Sequence, residues 1–192
     1  MSRAPSRRGE PSGRPAQVAV FGSARLLPED AEYARTRRLG ELIARAGWTL
    51  CTGGYAGAMA AASEGASAAG GHVVGVTVSG WAGRRSANRW VGEERAADGL
   101  IARMAELVAS DAWVAVSGGV GTLAEVALAW NLLQTGDLGP RPLVTVGPRW
   151  RALLPALREH LVVDDRDLAL VRAVDDPDAA VSALREALSG PA

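Results

Sequence analysis

The feature that most constrains this chain is a repeated alternation of short apolar runs, several closing in glycine, with segments of helical periodicity. Gln17 to Phe21 runs into Gly22-Ser23, and Trp48 to Cys51 runs into Thr52-Gly53-Gly54. Ala112 to Val116 runs into Ser117-Gly118-Gly119-Val120-Gly121-Thr122. His72 to Val78 and Pro142 to Val146 are two further apolar runs. The runs are nearly continuous, as in Val73-Val74-Gly75-Val76, rather than alternating with polar residues. Continuous apolar runs of this length fit parallel strands covered by helices on both faces.

Helices are expected between them. Pro28 to Ala46 carries Tyr33, Leu39, Leu42 and Ile43 on one face, with Gly47 as its stop. Tyr55 to Ala69 is rich in alanine, suited to packing closely on a sheet, and ends at Gly70-Gly71. Arg95 to Ala109, Thr122 to about Gln134, and Trp150 to His160 follow, with a last helix starting near Pro177. Right-handed crossovers make this pattern a Rossmann-like, doubly wound α/β domain. It is read as a single domain over residues 16–192, without internal repeats. Met1 to Pro15, rich in Arg, Ser, Pro and Gly, is expected to be a disordered tail. Ser79 to Glu93 has no periodicity and carries Trp81, Arg84, Arg85, Arg89 and Trp90. An irregular stretch this long fits a lid or binding loop.

Composition narrows the chemistry. With 192 residues the chain can bury a core unaided. Its formal net charge is +0, so no global field draws it to nucleic acid or anionic membrane. No apolar run approaches a bilayer span, and the start lacks the apolar core of a signal peptide. Cys51 is the single cysteine, expected to be a buried strand residue, and a cytoplasmic setting fits. The chain contains no lysine. It therefore cannot hold pyridoxal phosphate as a lysine Schiff base, nor clamp a phosphate with a P-loop lysine. No cofactor is expected.

Ligands of such a sheet bind at the carboxyl ends of its strands. Three glycine turns belong to that edge: Gly22 with Ser23, Gly53 and Gly54 with Gly57, and Gly118 and Gly119 with Gly121. The turn Ser117 to Thr122 leads straight into a helix. Its amides and the positive helix end suit a phosphate, with the Thr122 hydroxyl as a further donor. Glu125 lies one turn further on. It is either a helix-start carboxylate or a group facing the ligand as base or hydroxyl acceptor. Arg103 sits among Leu100, Ile101, Met104 and Leu107. It either snorkels to the surface or turns inward to pair with phosphate or Glu125. His72 and His160 lack metal-ligand neighbours, and Asp164, Asp165 and Asp167 read as an exposed acidic turn, so no metal site is expected. A dehydrogenase would want Gly-x-Gly-x-x-Gly after the first strand, which is missing.

Ser117-Gly118-Gly119-Val120-Gly121-Thr122-Leu123-Ala124-Glu125 resembles the Pro-Gly-Gly-x-Gly-Thr-x-x-Glu signature of the Lonely Guy family. That family was long labelled "possible lysine decarboxylase", a chemistry the missing lysine rules out here. The resemblance spans Gln17 to Leu157. It includes Val20-Phe21-Gly22-Ser23-Ala24, the turn Thr52 to Met59, the run Gly70 to Val76, and Ser110-Asp111-Ala112-Trp113. It implies a Rossmann-like fold, usually dimeric, that cleaves the N-glycosidic bond of cytokinin riboside 5′-monophosphates. The products are free base and ribose 5-phosphate. It further implies that Gly118, Gly119, Gly121 and Thr122 hold the 5′-phosphate, with Gly22, Ser23, Gly53, Gly54, Gly57, Met59 and Ser117 around the nucleotide. Glu125 would handle ribose and water, and Arg103 would stabilise charge. The sequence departs from the family at three places. Ser117 replaces the signature proline. Leu100-Ile101-Ala102-Arg103-Met104 keeps only the arginine of Met-His-x-Arg-Lys. Gly57-Ala58-Met59 replaces Gly-Leu-Met. The partner expected is a nucleoside monophosphate. The alternative is a carrier of a nucleotide or phosphorylated cofactor, such as the molybdenum-cofactor carriers that resemble this family. Helical surface such as Ala127 to Leu133 leaves an apolar face for a homodimer.

Overall fold

A computed structural model describes residues 14–81 and 86–189. Seven strands form one sheet: β1 (Gln17–Phe21), β2 (Thr49–Thr52), β3 (Val73–Val78), β4 (Glu93–Ala97), β5 (Ala112–Ala115), β6 (Leu143–Val146) and β7 (Val171–Val174). All neighbouring pairs are parallel, in the order β4-β3-β2-β1-β5-β6-β7. The helices are α1 (Ala31–Arg45), α2 (Ala58–Ala68), α3 (Gly99–Val108), α4 (Val120–Thr135), α5 (Pro148–His160), α6 (Asp165–Ala169) and α7 (Pro177–Leu188). The chain is thus the doubly wound Rossmann-like α/β fold expected from its alternation.

The central strands are buried on both faces, which is why they read as unbroken apolar runs. Leu39 and Ile43 of α1, Ala62 and Ala66 of α2, and Val181 and Leu184 of α7 pack with Val18, Val20 and Val114 on one face. Leu107, Val126, Ala129 and Trp150 pack with Phe21, Trp113 and Ala115 on the other. The alanines of α2 serve a helix more than the sheet. A methyl on Gly40 would overlap the Ala62 carbonyl, and one on Gly65 the Arg37 carbonyl, so α1 and α2 touch backbone to backbone.

Three elements differ from expectation. Arg95 lies in the strand β4, and α3 begins only at Gly99. The strand Glu-Glu-Arg-Ala-Ala is a sheet edge with charged residues on its open face, so it carries no apolar run. The opposite edge, β7, hides behind Arg172 in the same way. The short helix α6 is set by a capping box, in which Asp164 accepts from the amides of Arg166 and Asp167. The expected acidic turn is therefore a helix start. Smaller shifts bring β2 to Thr49–Thr52 and begin α2 at Ala58, after a turn through Gly57.

The expected tail lies outside the described residues up to residue 13. Arg14 is anchored to Asp111 at 2.9 Å. Within the expected loop, Ser79–Trp81 form a single 3-10 turn, and residues 82–85, including Arg84 and Arg85, lie outside the described residues. Among the described residues no helix is long and apolar enough to cross a membrane.

Candidate active-site cleft

Strand order reverses between β1 and β5, where the connections from the two strands leave on opposite faces. Such a switch point opens a crevice at the carboxyl edge. Here it is a cleft of about 810 Å³. Ser23 ties its rim together through the backbone. Its amide donates to the Ser117 carbonyl at 3.0 Å, and its carbonyl accepts from the Ala58 amide at 2.8 Å. The loops after β1, β2 and β5 are thereby held as one surface.

The floor is the start of α4. Gly119 caps this helix with extended backbone and no side-chain bond to its amides, so the first turn presents free donors. A methyl on Gly119 or Gly121 would meet nothing within 4 Å, which leaves these amides open to an incoming group. Gly118 serves packing: a methyl there would overlap the Thr122 side chain, which is 4 % exposed beneath the loop. Ser117 also lines the cleft, and its hydroxyl is buried with no hydrogen-bond partner.

Arg103 points inward. Its Nε donates to the Val76 carbonyl at 2.8 Å, its guanidinium lies 5.7 Å from the Tyr55 ring centroid, and its Nη1 lies 3.4 Å from Glu125 Oε1. Gly53 makes this possible, because a methyl there would overlap Arg103 Nη2 and stand 2.6 Å from Met59 Sδ. Burial raises the Glu125 carboxyl above its ordinary range, while Arg103 pulls it down without cancelling the rise. A carboxylate held this way can take a proton from water or face a developing cation.

Of the expected site residues, Gly22, Ser23, Met59, Arg103, Ser117, Gly118, Gly119, Gly121, Thr122 and Glu125 all line the cleft. Gly53, Gly54 and Gly57 do not. Gly54 and Gly57 take positive φ, at 76° and 68°, and turn the chain into α2 behind the lining. Sequence reasoning left out Tyr55, Arg25, Glu32 and Arg149 as lining residues, and it noted Trp81 and Leu100 without placing them here. Tyr55 and Trp81 face each other with centroids 5.8 Å apart. A rule that the first residues after each central strand reach the cleft would have flagged Arg25 and Arg149. Asn88 fastens the following segment to the second glycine turn, its Nδ2 donating to the Gly54 and Tyr55 carbonyls at 3.0 Å.

The remaining singled-out residues are structural. Cys51 is fully buried, and burial pushes its thiol pKa up to about 12, so it stays an inert neutral thiol. His72 pairs with Glu93 at 3.0 Å on the sheet's edge, and His160 lies 4.0 Å from Glu159 on the surface.

Fold and cleft together define an α/β protein of the Rossmann type, with the uncapped start of α4 beside a buried carboxylate. The chain belongs to the SLOG cluster4 family, whose sequence profile matches residues 15–135. The Lonely Guy resemblance stands on curated relatives as well. A cytokinin riboside 5′-monophosphate phosphoribohydrolase of Mycobacterium tuberculosis is 37% identical over 68% of this chain and 70% of its own. A probable enzyme of the same name from Oryza sativa subsp. japonica is 40% identical over 48% of this chain, which spans only 42% of that relative's length. Among solved structures, the molybdenum cofactor carrier protein of Chlamydomonas reinhardtii is 28% identical, with TM-score 0.71 over 92% of this chain and 100% of its own. The molybdenum cofactor binding protein of Rippkaea orientalis shares the fold, with TM-score 0.76 and 24% identity over 92% of this chain and 99% of its own.

Proposed function

We propose that this chain hydrolyses the N-glycosidic bond of a nucleoside 5′-monophosphate, of cytokinin or adenosine type, to free base and ribose 5-phosphate. The observation that carries this reading is the buried Arg103–Glu125 pair, one helical turn from the uncapped amides of α4 and in the same cleft. The amides of residues 119–122 and the Thr122 hydroxyl hold the phosphate. The ribose then lies beside Glu125. Cleavage of the C1′–N bond builds positive charge on the ribose, which the carboxylate stabilises. Water adds its oxygen to C1′ through Glu125 as base, and the departing base nitrogen takes a proton. Arg103 holds the carboxylate in place and keeps its charge available. No metal is called on. Tyr55, Trp81 and Leu100 stand on the Arg103 side, where the base would lie.

The test is direct. Purified protein is incubated with a panel of nucleoside monophosphates, including AMP and N6-substituted AMP, and free base is followed by chromatography. E125Q is expected to abolish base release while retaining nucleotide binding. A panel left intact over hours overturns the reaction.

A second reading is favoured by the likeness to the Chlamydomonas carrier: the cleft would hold a phosphorylated cofactor unchanged. Mass spectrometry of ligand released from the purified protein separates the two. An intact cofactor supports the carrier, and ribose 5-phosphate or a base supports the enzyme. We also infer a homodimer built on α4, which exposes Val120, Leu123, Ala124 and Ala127. A reducing, cytoplasmic setting suits the lone buried thiol of Cys51.

A further inference from the structure

Among the described residues, Tyr55 and Trp81 are the only aromatic ones that line the cleft. A short chain of contacts joins them to the carboxylate. Glu125 Oε1 lies 3.4 Å from Arg103 Nη1, and the Arg103 guanidinium lies 5.7 Å from the Tyr55 ring centroid. That centroid is 5.8 Å from the Trp81 ring, and the two rings are tilted by 35° rather than stacked flush. Tyr55 is 5% exposed, and its hydroxyl accepts from the Val78 amide at 2.9 Å. Trp81 is half-buried and ends the 3-10 turn that follows Val78, so this bond ties the two aromatic residues together. Ser79 Oγ donates to the Ala97 carbonyl at 3.2 Å and fixes the same turn to β4. Met59, whose sulfur lies 3.8 Å from Arg103 Nη2, also lines the cleft on this side. Among the described lining residues there is no Asn, Gln, Asp or His. The cleft therefore lacks a side-chain amide of the kind that pairs with the edge of an adenine. What this wall offers a planar ring is aromatic surface.

We propose that Trp81, held in place by Tyr55, sets the base specificity of the cleft, selecting a purine over a pyrimidine by the ring area it covers. The inference rests on the proposed reaction, with the ribose beside Glu125. Arg103 bridges that carboxylate and the Tyr55 ring, so the aromatic pair adjoins the bond to be cleaved. Trp81 has the more open surface of the pair. A purine presents two fused rings to such a face and a pyrimidine one, so stacking and apolar burial both favour the purine.

The test is calorimetric titration of the full-length protein with AMP, UMP and ribose 5-phosphate, in the E125Q background so that no ligand is consumed. Ribose 5-phosphate carries no base and reads the rest of the cleft alone. AMP is expected to bind roughly tenfold more tightly than UMP or ribose 5-phosphate. W81A should erase that advantage while leaving ribose 5-phosphate affinity unchanged, and W81F should keep most of it. W90A is the control from the same segment. Trp90 lies under the Arg89 guanidinium at 4.7 Å and does not line the cleft, so its loss should leave the AMP advantage intact. Equal affinities for AMP and UMP in the parent overturn the assignment, and so does a W81A loss that ribose 5-phosphate shares. An AMP preference that W81A abolishes, in a protein whose wild type leaves every monophosphate intact, overturns the reaction and supports the role of Trp81. Base release by the wild type, with an AMP-to-UMP ratio that W81A does not change, does the reverse. Failure to bind any of the three ligands overturns both.

Discussion

Arg103 Nη1 and Glu125 Oε1 lie 3.4 Å apart between two helices, with side chains only 8% and 12% exposed. A buried pair of this kind rarely adds net stability over an apolar pair, but breaking it leaves one charge stranded. R103M is therefore expected to cost about 3–5 kcal/mol, since it also deprives the Val76 carbonyl of its donor. The double variant R103M/E125L should recover most of that loss. Urea unfolding of the two variants checks this, and an R103M cost below ~1 kcal/mol would show the pair to be energetically idle.

The pH dependence follows from Glu125. Its folded pKa lies above the unfolded value because burial outweighs Arg103. Folding thus favours the protonated carboxyl. That contribution is complete below the unfolded pKa and is lost as pH rises through the raised folded one. Wild type should lose stability relative to E125Q across that window, with the gap closing toward acid. Base release should show the opposite trend, rising as the carboxylate forms. A stability gap that widens toward acid would reverse the assigned sign.

Gly53 is predicted to be an activity determinant that touches no ligand. G53A drives a methyl into Arg103 Nη2 and against Met59 Sδ, forcing the guanidinium off Glu125. The expected result is a fall in kcat of ten- to a hundredfold with little change in KM, as for a misplaced charge. G121A is the comparison: its methyl meets nothing within 4 Å of the protein, so any loss there falls on phosphate binding and appears in KM.

Ser117 holds a buried hydroxyl without a partner. Leaving such a group unsatisfied costs about 1–3 kcal/mol. S117A should therefore stabilise the ligand-free protein by about 1 kcal/mol. Denaturant unfolding without ligand reads this directly, and a loss of stability would mean the hydroxyl is satisfied in solution.

The exposed apolar face of α4 makes the association prediction. Light scattering at micromolar concentration should report a dimer, and A127E, which puts a charge on that face, should yield a monomer. A wild-type monomer at that concentration rejects the interface.

Much of this molecule was legible in its residues. Strands β1, β2, β3, β5 and β6 were readable because burial on both faces leaves an unbroken apolar run. The uncapped start of α4 was readable because a glycine turn leading straight into a helix is a local feature. The edge strands β4 and β7 were not, since one open face lets charge interrupt the run. The turn through Gly53, Gly54 and Gly57 was correctly placed at the sheet edge, yet two of these glycines bend the chain and the third makes room for Arg103.

By itself the sequence determined the alternation of strand and helix, the open amides at the start of α4, and the absence of a lysine for Schiff-base chemistry. It left Arg103 divided between surface and interior. Only the tertiary structure decided that, by bringing α3 against α4 so that a guanidinium meets a carboxylate 22 positions away. It also decided that Arg25 and Arg149, which follow strands far apart in the chain, share one cleft. Local pattern specifies elements because their forces act between near neighbours. Which side chains meet depends on strand order and helix packing, and no local periodicity encodes those.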